Sequence, residues 1–176
     1  IDSSLLGTTT ASTKGAFSFT PASAIEDGNY LIKATATDAA GNLSSKSSSI
    51  SITIDTTAPD APASLATTSS ISNDTTPTIT GTAEANTTIT LLDGDVEIGT
   101  ATTDSEGAFS VTPSSSLAEG DYALEAKATD SAGNISSESS SISITIDTTA
   151  PNAPTSLVDI SDTNDTTPTL TGTAEA

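Results

Sequence analysis

Apolar residues alternate with serine and threonine along much of the chain. Residues 141–146 read Ser-Ile-Ser-Ile-Thr-Ile, so every second side chain is apolar, and shorter runs of the same kind occur at 78–80 and 88–91. A period of two residues is typical of a strand with one buried face, and Thr, Val, Ile and Tyr favour strands. No window has the 3.6-residue period of an amphipathic helix. The pattern therefore predicts an all-β chain.

An internal repeat organises these strands. Residues 47–59 and residues 139–151 both read SSSISITIDTTAP, and the offset between them is 139 − 47 = 92 residues. The motif Ala-Thr-Asp-x-Ala-Gly-Asn recurs at the same offset, at 36–42 and 128–134. We predict one complete repeat at 55–146, the back part of a repeat at 1–54 and the front part of the next at 147–176. We expect the chain to be a section of a longer tandem array.

The complete repeat has the strand spacing of an immunoglobulin-like sandwich, because seven short strands are separated by turn signals every 8–12 residues. Tyr122 follows Leu-Ala-Glu-Gly-Asp, which resembles the tyrosine corner of that fold, and Tyr30 repeats it. We therefore predict tandem seven-stranded immunoglobulin-like β-sandwiches. The predicted strands are 64–71, 77–83, 87–92, 96–103, 108–112, 121–129 and 137–146.

The predicted core is small, since a full repeat has only one Phe and one Tyr. Small domains with thin cores usually need disulfides, metals or neighbouring domains, and the chain has no Cys. The sequence thus favours metals or neighbouring repeats as additional support. The predicted inward side chains are Ile79, Ile89, Leu91, Ile98, Phe109, Val111, Leu117, Tyr122, Leu124, Ile142, Ile144 and Ile146.

The charge of the chain excludes several function classes. It has 23 acidic residues against 4 basic ones, for a formal net charge of -19, and it has no His and no Cys. Such a chain repels phosphate backbones, so we expect no nucleic-acid partner. The missing residue types exclude Ser-His-Asp and Cys-His nucleophilic sites and the usual zinc sites. No apolar run reaches the roughly 18 residues of a membrane span, so we expect no direct insertion into a membrane.

Some of the acidic residues are predicted to gather at one pole of the sandwich. In this fold the entry linker and three loops meet there, which contributes Asp55, Glu84, Asp104 and Asp130. Carboxylates held together in flexible loops suit Ca²⁺, which binds six to eight oxygens. The counterparts of these residues in the flanking repeats are Asp147, Glu175 and Asp38. The alternative interpretation is ordinary turn chemistry, because Asp before Gly or Thr is common in turns.

The order of motifs resembles a known family. The chain contains Asp-Thr-Thr-Ala-Pro-x-Ala-Pro, then Asp-Thr-Thr-Pro-Thr-Ile-Thr-Gly-Thr-Ala-Glu-Ala, then Ala-Thr-Asp-x-Ala-Gly-Asn. It resembles the bacterial Ig-like repeats of giant type I-secreted adhesins, called biofilm-associated or RTX adhesins. The resemblance implies extender domains on the bacterial cell surface, stiffened by Ca²⁺ at the domain junctions. It assigns ligand roles to Asp55, Asp147, Glu84, Glu175, Asp38 and Asp130, and leaves Asp104 a candidate from its loop position.

We therefore expect an extracellular spacer whose partners are the neighbouring Ig-like repeats of the same chain. The alternative is a module that binds a glycan or a protein surface, which would need exposed aromatic side chains. The five aromatic residues all fall at predicted strand or corner positions. We expect no enzyme, because near-identical tandem copies would each need an active site and have no insertion that forms a cleft.

Overall fold

The computed structural model describes residues 5–158 and 162–175, so the predicted front part at 147–176 is only partly covered. The described ranges contain ten strands and no helix. No helix in these ranges is therefore long and apolar enough to cross a membrane. The strands are β1 (Gly28–Ile32), β2 (Ile50–Ile54), β3 (Ala63–Thr67), β4 (Ile71–Ser72), β5 (Ile79–Thr82), β6 (Thr88–Asp93), β7 (Val96–Thr102), β8 (Ala108–Val111), β9 (Gly120–Thr129) and β10 (Ile142–Ile146).

Two sheets form a sandwich between residues 63 and 146. One has five strands in the order β4-β10-β9-β6-β7, and the other has three in the order β3-β5-β8. All neighbouring strands are antiparallel except β4 and β10, which are parallel. A separate antiparallel pair, β1 and β2, lies earlier in the chain. The predicted all-β immunoglobulin-like sandwich is confirmed.

The core lies between the two sheets, as alternation along the strands predicts. The three-stranded sheet contributes Ile79, Phe109 and Val111, and the five-stranded sheet contributes five large aliphatic side chains. Alanines at positions 126 and 128 and Leu92 are buried as well, although none was predicted. The predicted inward residues that are buried are Ile79, Ile89, Leu91, Phe109, Val111, Leu124, Ile144 and Ile146, and those that are half-buried are Ile98, Leu117, Tyr122 and Ile142.

The prediction of one continuous first strand at 64–71 is wrong. The segment forms β3 in the three-stranded sheet and β4 in the five-stranded sheet, so the complete repeat has eight strands. Ser64 has a left-handed φ of 55°, and the register of β3 shifts between Ala63 and Ala66. This bulge twists the strand. Beyond it, Ser70 O accepts a hydrogen bond from Thr145 N at 2.8 Å, which directs the chain onto β10.

The prediction that the last strand begins at residue 137 is also wrong, because β10 begins at Ile142. Two buried serines replace the missing part of the strand. Ser139 N donates to Ala126 O at 2.9 Å, and Ser139 Oγ accepts from Ala126 N at 3.0 Å. Ser136 makes the same pair of bonds with Ala128, both at 2.9 Å. The two serine hydroxyls thus accept hydrogen bonds from backbone N–H groups of β9 that the carbonyls of a neighbouring strand would normally accept.

The tyrosine corner is present in both copies of the repeat. Tyr122 Oη donates to Ala118 O at 2.9 Å, and Tyr30 Oη donates to Glu26 O at 2.8 Å. These bonds fix the loop that enters β9 and β1, respectively. They confirm the two corners that the sequence predicted.

The strands β1 and β2 repeat the pairing of β9 and β10. Gly28 lies opposite Ile54, as Gly120 lies opposite Ile146. Several large apolar side chains of this first copy are exposed, with Phe17 at 64% and Ile50 at 65%, while Ile32 and Ile54 are half-buried. The repeat in the sequence is therefore also a repeat of strand register.

Candidate functional site

The linker aspartates form local turns with the threonines that follow them. Asp55 Oδ1 accepts a hydrogen bond from Thr57 N at 3.1 Å, and Asp147 Oδ1 accepts one from Thr149 N at 3.0 Å. An aspartate that bonds the backbone two residues ahead is an Asx turn. Both linkers therefore continue from the preceding strand, β2 or β10, through the same local conformation.

A carboxylate from the preceding loop binds the first linker. Asp27 Oδ1 accepts hydrogen bonds from Thr56 N at 3.1 Å and Thr56 Oγ1 at 2.9 Å, and Asp27 Oδ2 accepts one from Thr57 Oγ1 at 3.1 Å. Asp27 immediately precedes Gly28, which pairs with Ile54 at the end of β2. We call this group, an acidic side chain with two linker threonines, a linker clamp.

The second linker has a linker clamp built from a different acid. Glu119 Oε2 accepts from Thr148 N at 3.3 Å and from Thr148 Oγ1 at 2.9 Å. Thr149 Oγ1 lies 2.9 Å from Glu119 Oε2 and 3.1 Å from Oε1. Glu119 precedes Gly120, which pairs with Ile146 at the end of β10. The two clamps thus occupy equivalent places, 92 residues apart.

The clamps stabilise the ionised form of both acids. The backbone N–H of Thr56 is the main cause of a lowered pKa at Asp27, followed by the Thr56 hydroxyl. The hydroxyls of Thr149 and Thr148 lower the pKa of Glu119 in the same way. Hydrogen bonds to a carboxylate favour its charged form. Both clamps are therefore complete at neutral pH.

Neither Asp27 nor Glu119 was among the predicted site residues. The signal for them is present in the sequence, since an acid precedes Gly-x-Tyr in both copies and a Thr-Thr pair follows the linker Asp in both. Only the pairing of β9 with β10 reveals that these two motifs meet. The strand register therefore shows that the clamp acid and the linker threonines meet, which composition alone does not show.

Asp55 and Asp130 are brought together through an asparagine. Asp130 Oδ1 accepts from Ala132 N and Asn134 N, each at 2.9 Å, and Asp130 Oδ2 accepts from Asn134 Nδ2 at 2.8 Å. The Asn134 amide is the main cause of the lowered pKa of Asp130. The same Nδ2 donates to Asp55 O at 3.1 Å. The loop after β9 therefore contacts the linker that enters the repeat.

Glu84 and Asp104 lie in two other loops that contact each other. Thr103 Oγ1 and Thr87 Oγ1 both donate to Glu84 O at 2.7 Å. Asp104, the next residue after Thr103, accepts at Oδ1 from Ala108 N at 2.9 Å. The backbone of Glu84 is thus tied to the strand that leads into Asp104, while the Asp104 carboxylate closes its own turn.

The two remaining predicted residues bind locally. Asp38 accepts from Asn42 Nδ2 at 2.8 Å and from Asn42 N at 2.8 Å, which are the bonds that its counterpart makes in the complete repeat. The Asn42 amide lowers the pKa of Asp38. Glu175 Oε2 accepts from Asn152 N at 3.2 Å, so it contacts the start of its own repeat.

Other residues link some of the predicted metal residues. Asn134 joins the Asp130 carboxylate to the backbone of Asp55, and Thr103, the residue before Asp104, binds the backbone of Glu84. Thr88 pairs with both Thr102 and Thr129, so the loops of Glu84, Asp104 and Asp130 lie at one end of the five-stranded sheet. Across residues 5–158 and 162–175, no three acidic side chains form a group that could hold a metal ion. Of the seven predicted ligands, Asp130 is half-buried and the others are exposed: Asp38, Asp55, Glu84, Asp104, Asp147 and Glu175.

The chain is similar to a known domain family and to solved structures. A family model described as a bacterial Ig-like domain matches residues 1–56 and 61–148. A crystal structure described as a tetra-tandem repeat in the extending region of a large adhesion protein shares 30% sequence identity, over 72% of this chain and 33% of that chain, with a TM-score of 0.43. The present chain thus spans about a third of that solved chain. No curated protein gives a match.

Proposed function

Because this chain belongs to the bacterial Ig-like domain family, we propose that it is a spacer segment of a large cell-surface adhesin. Its task would be to hold a distal binding domain away from the cell. The partners of each repeat would then be the neighbouring repeats of the same chain. The match of the family model to both parts of the chain supports a tandem arrangement.

The observation that carries the proposal is the recurrence of the same linker geometry. Both linkers begin with an Asx turn, at Asp55 and at Asp147, and both are bound by an acid of the preceding loop. A short linker that contains proline is already semi-rigid. The added hydrogen bonds restrict its direction further. A string of such repeats would keep its length better than one with free linkers.

The charge and composition of the chain are consistent with an extracellular protein. The net charge of -19 keeps tandem domains soluble and apart, and the absence of Cys removes any dependence on the redox state of the surroundings. We propose an extracellular location on the bacterial surface.

A non-enzymatic role is part of the same proposal. The carboxylates at the pole are occupied by turns and loops: Asp104 and Asp130 each accept two backbone N–H groups. A general acid or base needs a side chain that is available to a substrate. The chain has no His and no Cys that could serve instead. These features support a structural role.

We further propose that Ca²⁺ adds stiffness at the linkers. The chemistry of the donors fits, because carboxylates, carbonyls and an amide supply only hard oxygen ligands. Across residues 5–158 and 162–175, no three acidic side chains form a metal site by themselves, and Asn134 joins the Asp130 carboxylate to the linker backbone at Asp55. The residues that would hold the ion are therefore the pair Asp55 and Asp130, with backbone carbonyls as further oxygen ligands. Bound Ca²⁺ would neutralise these two charges and join the linker to the loop after β9.

A comparison of the chain in Ca²⁺ and in EDTA tests this proposal. Extracellular Ca²⁺ modules bind with a Kd of about 10⁻⁴–10⁻³ M, so about 10 mM CaCl₂ would saturate the site. We expect Ca²⁺ to raise the melting temperature and to narrow the distribution of interatomic distances in small-angle X-ray scattering. The double variant Asp55→Asn, Asp147→Asn should lose both effects, since Asn keeps the Asx-turn acceptor and removes the charge.

The matched control is Asp74→Asn. Asp74 begins an identical Asp-Thr-Thr turn outside the linkers, and its Oδ1 accepts from Thr76 N at 2.9 Å. This variant should respond to Ca²⁺ as the unaltered chain does. Identical melting temperatures and scattering curves in Ca²⁺ and EDTA would contradict the role of Ca²⁺. Specific binding of the chain to a glycan array would favour a binding module over a spacer.

A further inference from the structure

We infer that Asp27 and Glu119 are positioning residues that fix the direction of each linker, and that they do so without a metal ion. This inference rests on the proposed spacer function. It assigns the orientation of a junction to the repeat that the chain is leaving. The proposed Ca²⁺ ligands belong to the linker and to the repeat that the chain is entering, so the two devices are separate.

Two different acids make the same set of bonds. Asp27 and Glu119 differ by one methylene, yet each binds the backbone N–H and the hydroxyl of the first threonine and the hydroxyl of the second. A carboxylate has two oxygens and about four acceptor positions, so one side chain can receive all three donors. The arrangement therefore needs a carboxylate more than it needs a particular side-chain length.

The threonine hydroxyls of the linkers differ from those of identical turns elsewhere. In the two Asp-Thr-Thr turns outside the linkers, the second hydroxyl returns to its own aspartate: Thr76 Oγ1 lies 3.2 Å from Asp74 Oδ1, and Thr167 Oγ1 lies 3.2 Å from Asp165 Oδ1. In the linkers, the second hydroxyl binds the clamp acid instead. The same local sequence thus changes partner only where a preceding acid is in reach.

The clamps lie just beyond the last paired residues of the strands that precede each linker. The antiparallel pairing of β9 with β10 ends at Gly120 and Ile146, and the Glu119 clamp binds Thr148 and Thr149, the second and third residues after Ile146. The clamp therefore holds the two chain segments together beyond their last paired residues. A force on the linker would reach Glu119 before it reached the hydrogen bonds of β10.

Nuclear magnetic resonance on the full chain in EDTA tests the inference. We compare the unaltered chain with Glu119→Ala by amide hydrogen exchange and by heteronuclear NOE at Thr148 and Thr149. Loss of the carboxylate should speed exchange at Thr148 by about threefold or more, since a net hydrogen bond is worth a factor of that order. The NOE of both residues should fall. Thr56 and Thr57 should be unchanged, because Asp27 holds them.

Three variants separate positioning from a general loss of stability. Glu119→Asp should restore slow exchange, because Asp27 makes the same bonds in the first copy. Asp27→Ala should affect only the first linker. Glu97→Ala removes an exposed acid of β7 whose carboxylate accepts no hydrogen bond within the described ranges, and it should leave both linkers unchanged.

Two results would overturn the inference. One is unchanged exchange and NOE at Thr148 and Thr149 in Glu119→Ala. The other is a linker in the unaltered chain that is mobile in EDTA and ordered only in Ca²⁺, which would assign its order to the metal. Neither result bears on the length of the string, so the spacer proposal is tested separately by scattering.

Discussion

Replacing Ser139 by alanine removes a hydroxyl that accepts a hydrogen bond from the backbone of β9. Ser139 Oγ accepts from Ala126 N at 3.0 Å and donates to Ser140 O at 3.0 Å. Ser139 is 8% exposed and Ala126 is 0% exposed, so water does not reach the freed N–H. The variant therefore leaves a buried backbone donor without its acceptor.

The magnitude follows from that burial. A buried donor without a partner costs about 1–3 kcal/mol, whereas the net value of an average hydrogen bond is about 0.5–1.5 kcal/mol. We expect Ser139→Ala to lower the free energy of unfolding by about 1–3 kcal/mol. A domain of this size is stable by about 5–15 kcal/mol in total, so the repeat should remain folded.

The chain offers a matched control for this experiment. Ser47 is the counterpart of Ser139 and accepts from Ala34 N at 3.0 Å, but both residues are exposed. Because water can replace the lost acceptor, Ser47→Ala should change the free energy of unfolding by less than about 0.5 kcal/mol. Urea titrations followed by circular dichroism give both values, provided that the m-value is constant.

Equal effects of the two substitutions would refute the reasoning. So would a loss of less than about 0.5 kcal/mol for Ser139→Ala, which falls within the range of an ordinary surface substitution. Either result would mean that the hydrogen bond from Ala126 N to the Ser139 hydroxyl does not stabilise the folded repeat.

Three further predictions follow from the core, a turn and the clamps. Ile144→Ala should cost about 2–5 kcal/mol in urea titrations because Ile144 is 1% exposed, and Ile52→Ala, at its 40% exposed counterpart, should cost clearly less; equal costs would contradict the core assignment. Gly107→Ala should cost at least about 1–2 kcal/mol in thermal unfolding, because Gly107 has a φ of 84° and a Cβ would overlap the Ala83 carbonyl oxygen; a neutral effect would contradict this backbone geometry. The lowered pKa of Glu119 means that its clamp is complete above the ordinary glutamate pKa of about 4.3 and is lost as the pH falls through the lowered value. Exchange at Thr148, corrected for its intrinsic pH dependence, should therefore be slow at about pH 6 and become faster as the pH falls below the ordinary glutamate pKa, and protection that stays constant down to the pH of acid unfolding would contradict a carboxylate clamp.

The strands were predictable from the sequence because their pattern is local. Ile144 and Ile146 alternate with polar residues, and both are buried where the period of two places them. The divided first strand was not predictable, since it depends on a left-handed φ at Ser64, a residue type that gives no signal for it. The late start of β10 was missed because residues 137–141 were predicted as part of the strand, whereas the hydroxyls of Ser136 and Ser139 bind the β9 backbone there in place of strand pairing.

The site was predictable only in part, because its contacts join distant segments. The acids near the pole could be assigned to loops, and Asn134 does contact Asp55 across 79 residues. The clamps were missed, since Glu119 and Thr149 are 30 residues apart and meet only through the register of β9 and β10. Turn motifs reveal which acid closes its own loop, but pairing decides which acid binds a linker.

Mechanical unfolding of single molecules tests the central claim most directly. The claim is that residues 55–146 form one complete unit of a tandem spacer, so a chain held by its two ends should lengthen in one discrete step. Ninety-two residues at about 3.3–3.6 Å each correspond to a gain in contour length of about 300 Å, less the span of the folded repeat. Gradual lengthening without a step, or a step of a clearly different length, would contradict the account.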